Sequence, residues 1–385
     1  MALIYRSIAK SINFISLTML RPSAPSVSIP TNLPTSPTSP TVQSPSTTFD
    51  IVSYYNELLK SDESITPPIA AIESLISLLA TTPLTTISET LALLTTHTTK
   101  LLAAQRNPIP LSAGTELFQR YLVSSFQQRP SSLANSDFST LRHNIITNSS
   151  LFVKRANEAR VKIAQLALRF VRDDSTIITY GYSRVVQKML THAAEAGRYF
   201  RVVYVLPPSS NTTGTGNTST MLTDSIAALN ALSIPTSTIP IHALSYALAS
   251  LPSSPAAPPQ FITGAAAVLE NGSIITQFGT HQIALVARSV AIPFYVAAES
   301  YKFVRSFPLG GGQGDLAKMG VKQHVLQFST GTGSGTSGSS AAANQVVNVE
   351  DMVELTPPDL IEALFTETGI MTPDAVSEEL IKLWF

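Results

Sequence analysis

The sequence predicts an α/β fold in which an N-terminal helical domain precedes a Rossmann-like, doubly wound, mainly parallel sheet. Three observations lead there. Between residues 49 and 172 the apolar residues recur at the three-and-four spacing of helices, in several short stretches. From residue 173 onward β-branched runs and amphipathic stretches alternate strictly. The β-branched runs are apolar throughout rather than at every second position, as strands are when helices cover both faces.

In the first region "PPIAAIESLISLLA" opens with prolines, which a first helical turn tolerates because its N–H groups have no partner within the helix. It then sets Ile69, Ile72, Leu75, Ile76 and Leu79 on one stripe. "ISETLALLTTHTTKLLAAQ" and "GTELFQRYLVSSF" repeat the pattern. "NSSLFVKRANEARVKIAQLALRFV" is the longest stretch, with a polar cap expected at Asn148 to Ser150. In the second region "STIITY", "YFRVVYVL", "TSTIP", "PQFITGAAAVL" and "PFYVAAES" read as strands. Between them "SRVVQKMLTHAAEAG", stopped by Gly197, "MLTDSIAALNALS", "IHALSYALAS" and "THQIALVARSV" read as helices. Right-handed crossovers wind such a sheet in both directions. Its ligands lie beyond the strand carboxyl ends, here 180–184, the chain after Leu206, 264–280 and 298–302.

The organisation expected is thus an extension over 1–48, a helical domain over 49–172 and a Rossmann-like domain over 173–385. Low-complexity insertions interrupt the last at about 207–220 and 329–345. The extension is expected to be disordered, because residues 22–48 are rich in Pro, Ser and Thr and cannot bury a core. Its start carries Arg6, Lys10 and Arg21 with no acid before Asp50. That is the composition of a mitochondrial presequence, or of an extension without any targeting role. It is too short and too interrupted by charge to cross a membrane. The second insertion holds Gly333-x-Gly335-x-x-Gly338, but no strand precedes it and no amphipathic helix follows, so it is read as composition and not as a dinucleotide site.

The totals narrow the function classes. Among 385 residues, 25 basic and 25 acidic side chains cancel, which argues against nucleic acid as a direct partner. Charged residues make up only 13% of the chain, about half the usual share, as in a chain that hides surface against partners. There is no cysteine, so disulfides, thiolate ligands and thiol nucleophiles are excluded together. The histidines, His97, His143, His192, His242, His281 and His324, show no short metal-ligand spacing, and no metal site is expected.

Two stretches carry candidate binding chemistry. In "TYGYSR", Ser183 and Arg184 open a helix, where free N–H groups favour an anion; a capping serine and a surface arginine explain the same residues. The loop is not a hydrolase elbow, since the second glycine of G-x-S-x-G is missing. "ENGSIITQFGT" offers Glu270, Asn271, Gly279 and Thr280 before another helix. It reads either as a phosphate site or as a tight Asn271-Gly272 turn followed by a threonine cap. "ESYKFVR" places Glu299, Lys302 and Arg305 just past a strand, lining the crevice or a subunit contact. "GGGQGD" reads as a flexible loop without a following helix. No catalytic acid, base or nucleophile stands out.

"STIITYGYSRVV", "LENGSIITQFGTHQIALVA", "PFYVAAESYKFVRSFPL" and "LTPPDLIEALFTETGIMTPDAVSEELIKLWF" resemble the alpha-subunit branch of the eukaryotic initiation factor 2B alpha/beta/delta family, as does "FDIVSYYNELLKSDESITPPIAAIESLISLL". The resemblance covers about 49–385 apart from the insertions. It implies a cytosolic, non-catalytic regulatory subunit of the guanine-nucleotide exchange factor for initiation factor 2. Such a subunit pairs with itself and bridges the beta, gamma, delta and epsilon subunits. It helps sense initiation factor 2 with a phosphorylated alpha subunit, and it implies no cofactor. Related sugar-phosphate isomerases carry a cysteine where Gly181 stands, an acid where Ala266 stands, and Asn-Lys where Thr276-Gln277 stand. The resemblance therefore implies a crevice without proton-transfer groups, in which Ser183, Arg184, Asn271, Gly279 and Thr280 remain to contact a phosphate or sugar phosphate. Isomerase activity of the ribose-1,5-bisphosphate or methylthioribose-1-phosphate type is the alternative.

Overall fold

The computed structural model describes residues 49–62, 65–84, 86–127, 138–208, 217–251, 257–310, 312–325 and 352–384. The expected extension, the 329–345 insertion with its glycine motif, and most of the 207–220 insertion lie outside these residues.

Five helices form the N-terminal layer: α1 (Ile51–Ser61), α2 (Pro67–Thr81), α3 (Ile87–Ala104), α4 (Ile109–Gln127) and α5 (Phe138–Ala167). The prolines at the start of α2 follow Thr66 in extended backbone, and the predicted stripe from Ile69 to Leu79 is buried. Thr86 caps α3 by accepting a hydrogen bond from the Glu89 N–H at 3.2 Å. Leu94 and Leu101 of α3, Phe118 and Leu122 of α4, and Ala156 of α5 close one core around α2. The polar triplet Asn148 to Ser150 does not cap α5. The helix begins ten residues earlier, at Phe138, and runs through the triplet, so the expected boundary is corrected. An intact i→i−4 ladder outweighs the local capping preference of three polar side chains.

The main sheet has the strand order β11-β10-β7-β4-β1-β2-β3. Its strands are β1 (Thr176–Tyr180), β2 (Arg201–Leu206), β3 (Thr236–Pro240), β4 (Gln260–Gly264), β7 (Phe294–Ala297), β10 (Ala363–Phe365) and β11 (Ile370–Met371). Every neighbouring pair is parallel except β10 with β11. Adjacent strand residues point to opposite faces, and both faces are covered. Ile177, Val202 and Ile262 pack with Ile163 and Ala164 of α5, Val186 and Met189 of α6 (Arg184–Glu195), and Leu229 of α7 (Asn217–Ala231). Ile178, Phe261 and Val296 pack with Leu244 of α8 (Leu244–Ser250), Ile283 and Ala287 of α9 (Thr280–Ser289), and Leu380 of the C-terminal helix (Val376–Trp384). The start of α7 shows that the last four residues of the 207–220 insertion are helical.

A second sheet, of order β8-β5-β6-β9, departs from the sequence reading. "PQFITGAAAVL" is two strands, β4 in the main sheet and β5 (Ala267–Leu269) in the second. "SIITQ", not among the strands read from the sequence, contains β6 (Ile274–Gln277), antiparallel to both β5 and β9 (Val353–Thr356); β8 is Phe303–Val304. Gly264, where the chain leaves the main sheet, has no room for a side chain: a Cβ there would fall 2.1 Å from Ser183 Oγ. The second sheet joins the two cores: Ala267, Leu269 and Ile275 meet Ile109 and Ala113 of α4, while Val268 and Ile274 face the α9 side. "GGGQGD" also leads into a short helix, α10 (Gln313–Lys318), closed at its start by the Gly310 N–H to Asp315 Oδ2 bond of 2.6 Å, which corrects the expectation of a loop alone. The C-terminal helix, numbered α11 in chain order, exposes Ile381.

Where α4 crosses α2, a Cβ on Gly114 would sit 2.4 Å from the Pro68 carbonyl oxygen. An exposed Gly→Ala change inside a helix stabilises by up to about 1 kcal/mol. Gly114→Ala is predicted to reverse that sign and cost about 1–3 kcal/mol through overpacking, read as a lower urea midpoint at unchanged slope.

Candidate functional site

All the sequence-derived residues but Asn271 lie beyond the carboxyl end of β1 or at the start of α9. After β1 the chain turns at Gly181, whose φ of +58° suits a residue without a Cβ; its N–H is held by the Val205 carbonyl at 3.0 Å. Ser183 is the N-cap residue of α6 but makes no side-chain capping bond, because its hydroxyl lies against Gly264. Arg184, the first residue of α6, reaches a cavity of about 660 Å³ between α5, α6 and α7, lined also by Arg160, Tyr182, Gln187, Lys188 and Asp224. Burial disfavours the charged form of Arg184, and the neighbouring Arg160 guanidinium disfavours it further. Ser225, at the cavity wall, is tied to Tyr204 Oη at 2.9 Å and to Gln187, which fixes that wall.

At the end of β7 lies a buried charge cluster. Glu299 is fully buried and pairs with Arg160 of α5 at 3.1 Å and with Lys302 at 2.7 Å. Tyr301 Oη donates to the same carboxylate at 2.9 Å, and Thr66, at the head of α2, reaches Tyr301 at 3.5 Å. Burial alone pushes the Glu299 carboxyl up. The Lys302 ammonium and Arg160 guanidinium override it and hold the group down at about 2. A second carboxylate, Glu367, accepts from the Ser300 N–H at 3.0 Å and from its hydroxyl. Burial raises Glu367, and Glu299 nearby raises it further.

The start of α9 holds Gly279 and Thr280. Gly279 has a φ of +107° and packs under the Tyr180 ring, whose hydroxyl donates to the Phe278 carbonyl at 2.6 Å. The N–H groups of Gly279 and His281 both donate to Glu354 Oε1, at 2.8 and 2.6 Å. The Thr280 hydroxyl is buried and donates back to the Gln277 carbonyl at 2.8 Å, so threonine is the first helical residue and Gly279 the cap. Gln277 reaches toward Gly181: a Cβ there would lie 3.1 Å from Gln277 Oε1. Ser183 and Arg184 thus share the α6 end of the crevice with Gly181 and Gly264, while Gly279 and Thr280 form its α9 end. Asn271 joins neither. It sits at the far tip of the β5–β6 hairpin, where its Oδ1 accepts from the Ser273 N–H at 3.0 Å and Gly272, with a φ of +81°, packs on Pro373.

Arg160 and Glu354 are among the residues at this site that went unseen in the sequence. Arg160 carried one signal, a lone charge on the buried stripe Ala156, Ala159, Ile163. Glu354 carried none, since one acid in "VELT" reads as the solvent side of a short strand. Among the described residues no helix is long and apolar enough to cross a membrane.

Residues 60–373 match the family described as Initiation factor 2 subunit family. The chain is 32% identical over 340 residues to Translation initiation factor eIF2B subunit alpha of Dictyostelium discoideum, covering 87% of this chain and 97% of that protein. It is 27% identical over 335 residues to the protein of the same name from Caenorhabditis elegans, covering 87% and 98%. Among solved structures, a chain of the tetrameric eIF2B-beta2-delta2 complex from C. thermophilum shares the fold with a TM-score of 0.62 and 18% identity, over 86% of this chain and 94% of that one.

The charge cluster makes a pH prediction. Because the Glu299 carboxyl is lowered from 4.5 to about 2, its contribution to stability is complete above 4.5 and is lost as pH falls toward 2. Glu299→Gln leaves Arg160 and Lys302 facing no carboxylate charge and is expected to cost about 3–5 kcal/mol at neutral pH. The difference in melting temperature between wild type and variant should shrink between pH 4.5 and 2; a constant difference would refute the role of the charge.

Proposed function

The chain belongs to the Initiation factor 2 subunit family, and from that premise we propose that it is an alpha-type regulatory subunit of the guanine-nucleotide exchange factor for initiation factor 2. In this reading it dimerises, bridges the beta, gamma, delta and epsilon subunits, and helps register phosphorylation of the alpha subunit of initiation factor 2. It acts in the cytosol. The observation that carries the reading is coverage: the alignment spans 97% of a relative named as the alpha subunit, so the likeness is to the whole protein and not to a shared sheet. The low content of charged side chains, 13%, suits a chain with much surface at subunit contacts. Reconstitution tests it. The purified chain is expected to run at twice its monomer mass and to join the other four subunits into one particle; a monomer that fails to co-elute with them would overturn the proposal.

We further read the crevice as a binding site without chemistry. Gly181, Ala266 and Gln277 supply no thiol, carboxylate or ammonium there. Two guanidinium groups, Arg160 and Arg184, and the Lys188 ammonium line one cavity. An anion entering it relieves the repulsion that Arg160 exerts on Arg184. Ser183 and Arg184 are the contacts we propose for a phosphate or sugar phosphate; at the opposite end the Gly279 N–H and the Thr280 hydroxyl are engaged by Glu354 and the Gln277 carbonyl, and Asn271 lies at the hairpin tip.

Incubation with ribose-1,5-bisphosphate or methylthioribose-1-phosphate should yield no ketose, and turnover would restore the isomerase reading. A ligand present at about 100 times its Kd stabilises by roughly 2.7 kcal/mol. Sugar phosphates are therefore expected to raise the melting temperature of the wild type. Arg184→Ala, which removes a charge-assisted contact of about 1.5–3 kcal/mol, should weaken binding roughly 10- to 100-fold. Equal affinity in both proteins would remove Arg184 from the site.

A further inference from the structure

We propose that the Glu354 carboxylate is an intramolecular anion seated at the start of α9, where it keeps that end of the crevice for the protein itself and leaves an incoming anion only the Arg184 end. The first half stands on geometry alone; the second rests on the ligand reading above. Helix N-termini attract anions because their first N–H groups lack partners within the helix and the helix dipole is positive there. At α9 those groups are engaged from within the chain. Gly279 and His281 donate to one oxygen of Glu354, at 2.8 and 2.6 Å, and Gly279 could not carry a side chain beneath Tyr180.

The placement of Glu354 is enforced from both sides. In the antiparallel register Glu354 pairs with Thr276, which puts the two side chains on one face of the second sheet, toward α9. Neighbouring bonds clamp the same junction: the Phe278 N–H to the Met352 carbonyl at 3.1 Å, and His281 Nδ1 with the Leu355 carbonyl at 3.0 Å. Thr276 itself is buried, and its hydroxyl has no hydrogen-bond partner. One buried hydroxyl on the face that carries the carboxylate is thus left unsatisfied. Strand β9 thus delivers a tethered competitor: its effective concentration at α9 is set by the fold, and a free anion must displace it.

The test is anion rescue with a local readout. Hydrogen exchange of the segment 279–283 is followed in wild type, Glu354→Ala and Glu354→Gln, each with Arg184→Ala so that the cavity is silent, during titration with acetate and with inorganic phosphate. Glu354→Ala is expected to exchange at least tenfold faster than its parent in that segment, and to recover protection saturably as either anion is added. The protein that retains Glu354 should not respond. Anion-dependent protection of equal size with Glu354 present would show the site open and overturn the proposal; so would the absence of any rescue in Glu354→Ala. Should Glu354→Ala not fold, Glu354→Gln keeps an acceptor and loses the charge. It is expected to show several-fold faster exchange at 279–283, and unchanged exchange would overturn the proposal equally. Loss of sugar-phosphate binding in Arg184→Ala alone reports on the ligand reading, so the two can fail separately.

Discussion

The packing of the helical layer against the sheet turns on one buried carboxylate. Glu299 emerges from β7 with no exposure to water and finds its counter-charges on a helix 139 residues earlier in the chain and on the turn that follows it. A carboxylate moved out of water unpaired costs several kcal/mol, so the folded state is tolerable only when Arg160 and Lys302 are both in place. That requirement brings α5 against the carboxyl end of the sheet. Tyr301 and Thr66 extend the same demand to the head of α2. Apolar packing between the layers supplies attraction without direction; the charge cluster supplies the register.

Around that fixed point the crevice is electrically lopsided. Two helices flank it, α6 after β1 of the main sheet and α9 after β6 of the second, and both present a positive dipole end. At α9 the chain answers with a carboxylate. At α6 it places Arg184, a cation where the dipole disfavours one, beside a second guanidinium. Such a placement lowers local stability by about 0.3–1 kcal/mol before burial is counted.

The parts of this architecture that were legible in the sequence are those with enough residues to show a period. The α2 stripe, the alternation of strand and helix after residue 173, and the start of α6 at Ser183 and Arg184 could be read directly. The second sheet could not. Its strands hold only two to four residues each, too few for a period of two to be told from chance. Nor could the length of α5, because Asn148, Ser149 and Ser150 have the local chemistry of a cap while the surrounding ladder makes them interior. At the site the residues nearest a glycine turn or a helix start were found, and their partners were not. Glu354 lies 75 residues from Gly279, and Arg160 lies 139 residues from Glu299. Pairings of that span leave no trace in one sequence, because each partner obeys only its own local pattern.

The unbroken run of α5 has a mechanical meaning. At 1.5 Å per residue, its 30 residues make a rod about 45 Å long. Its last turns are embedded under the sheet through Ile163, Ala164 and Ala167, and Ala156 lies in the core of the helical layer. A rod clamped in this way is a lever whose fulcrum is Arg160. The stretch from Phe138 to Arg160 is an arm of roughly 33 Å at 1.5 Å per residue, so a tilt of about 5° about Arg160 would move its far end by about 3 Å.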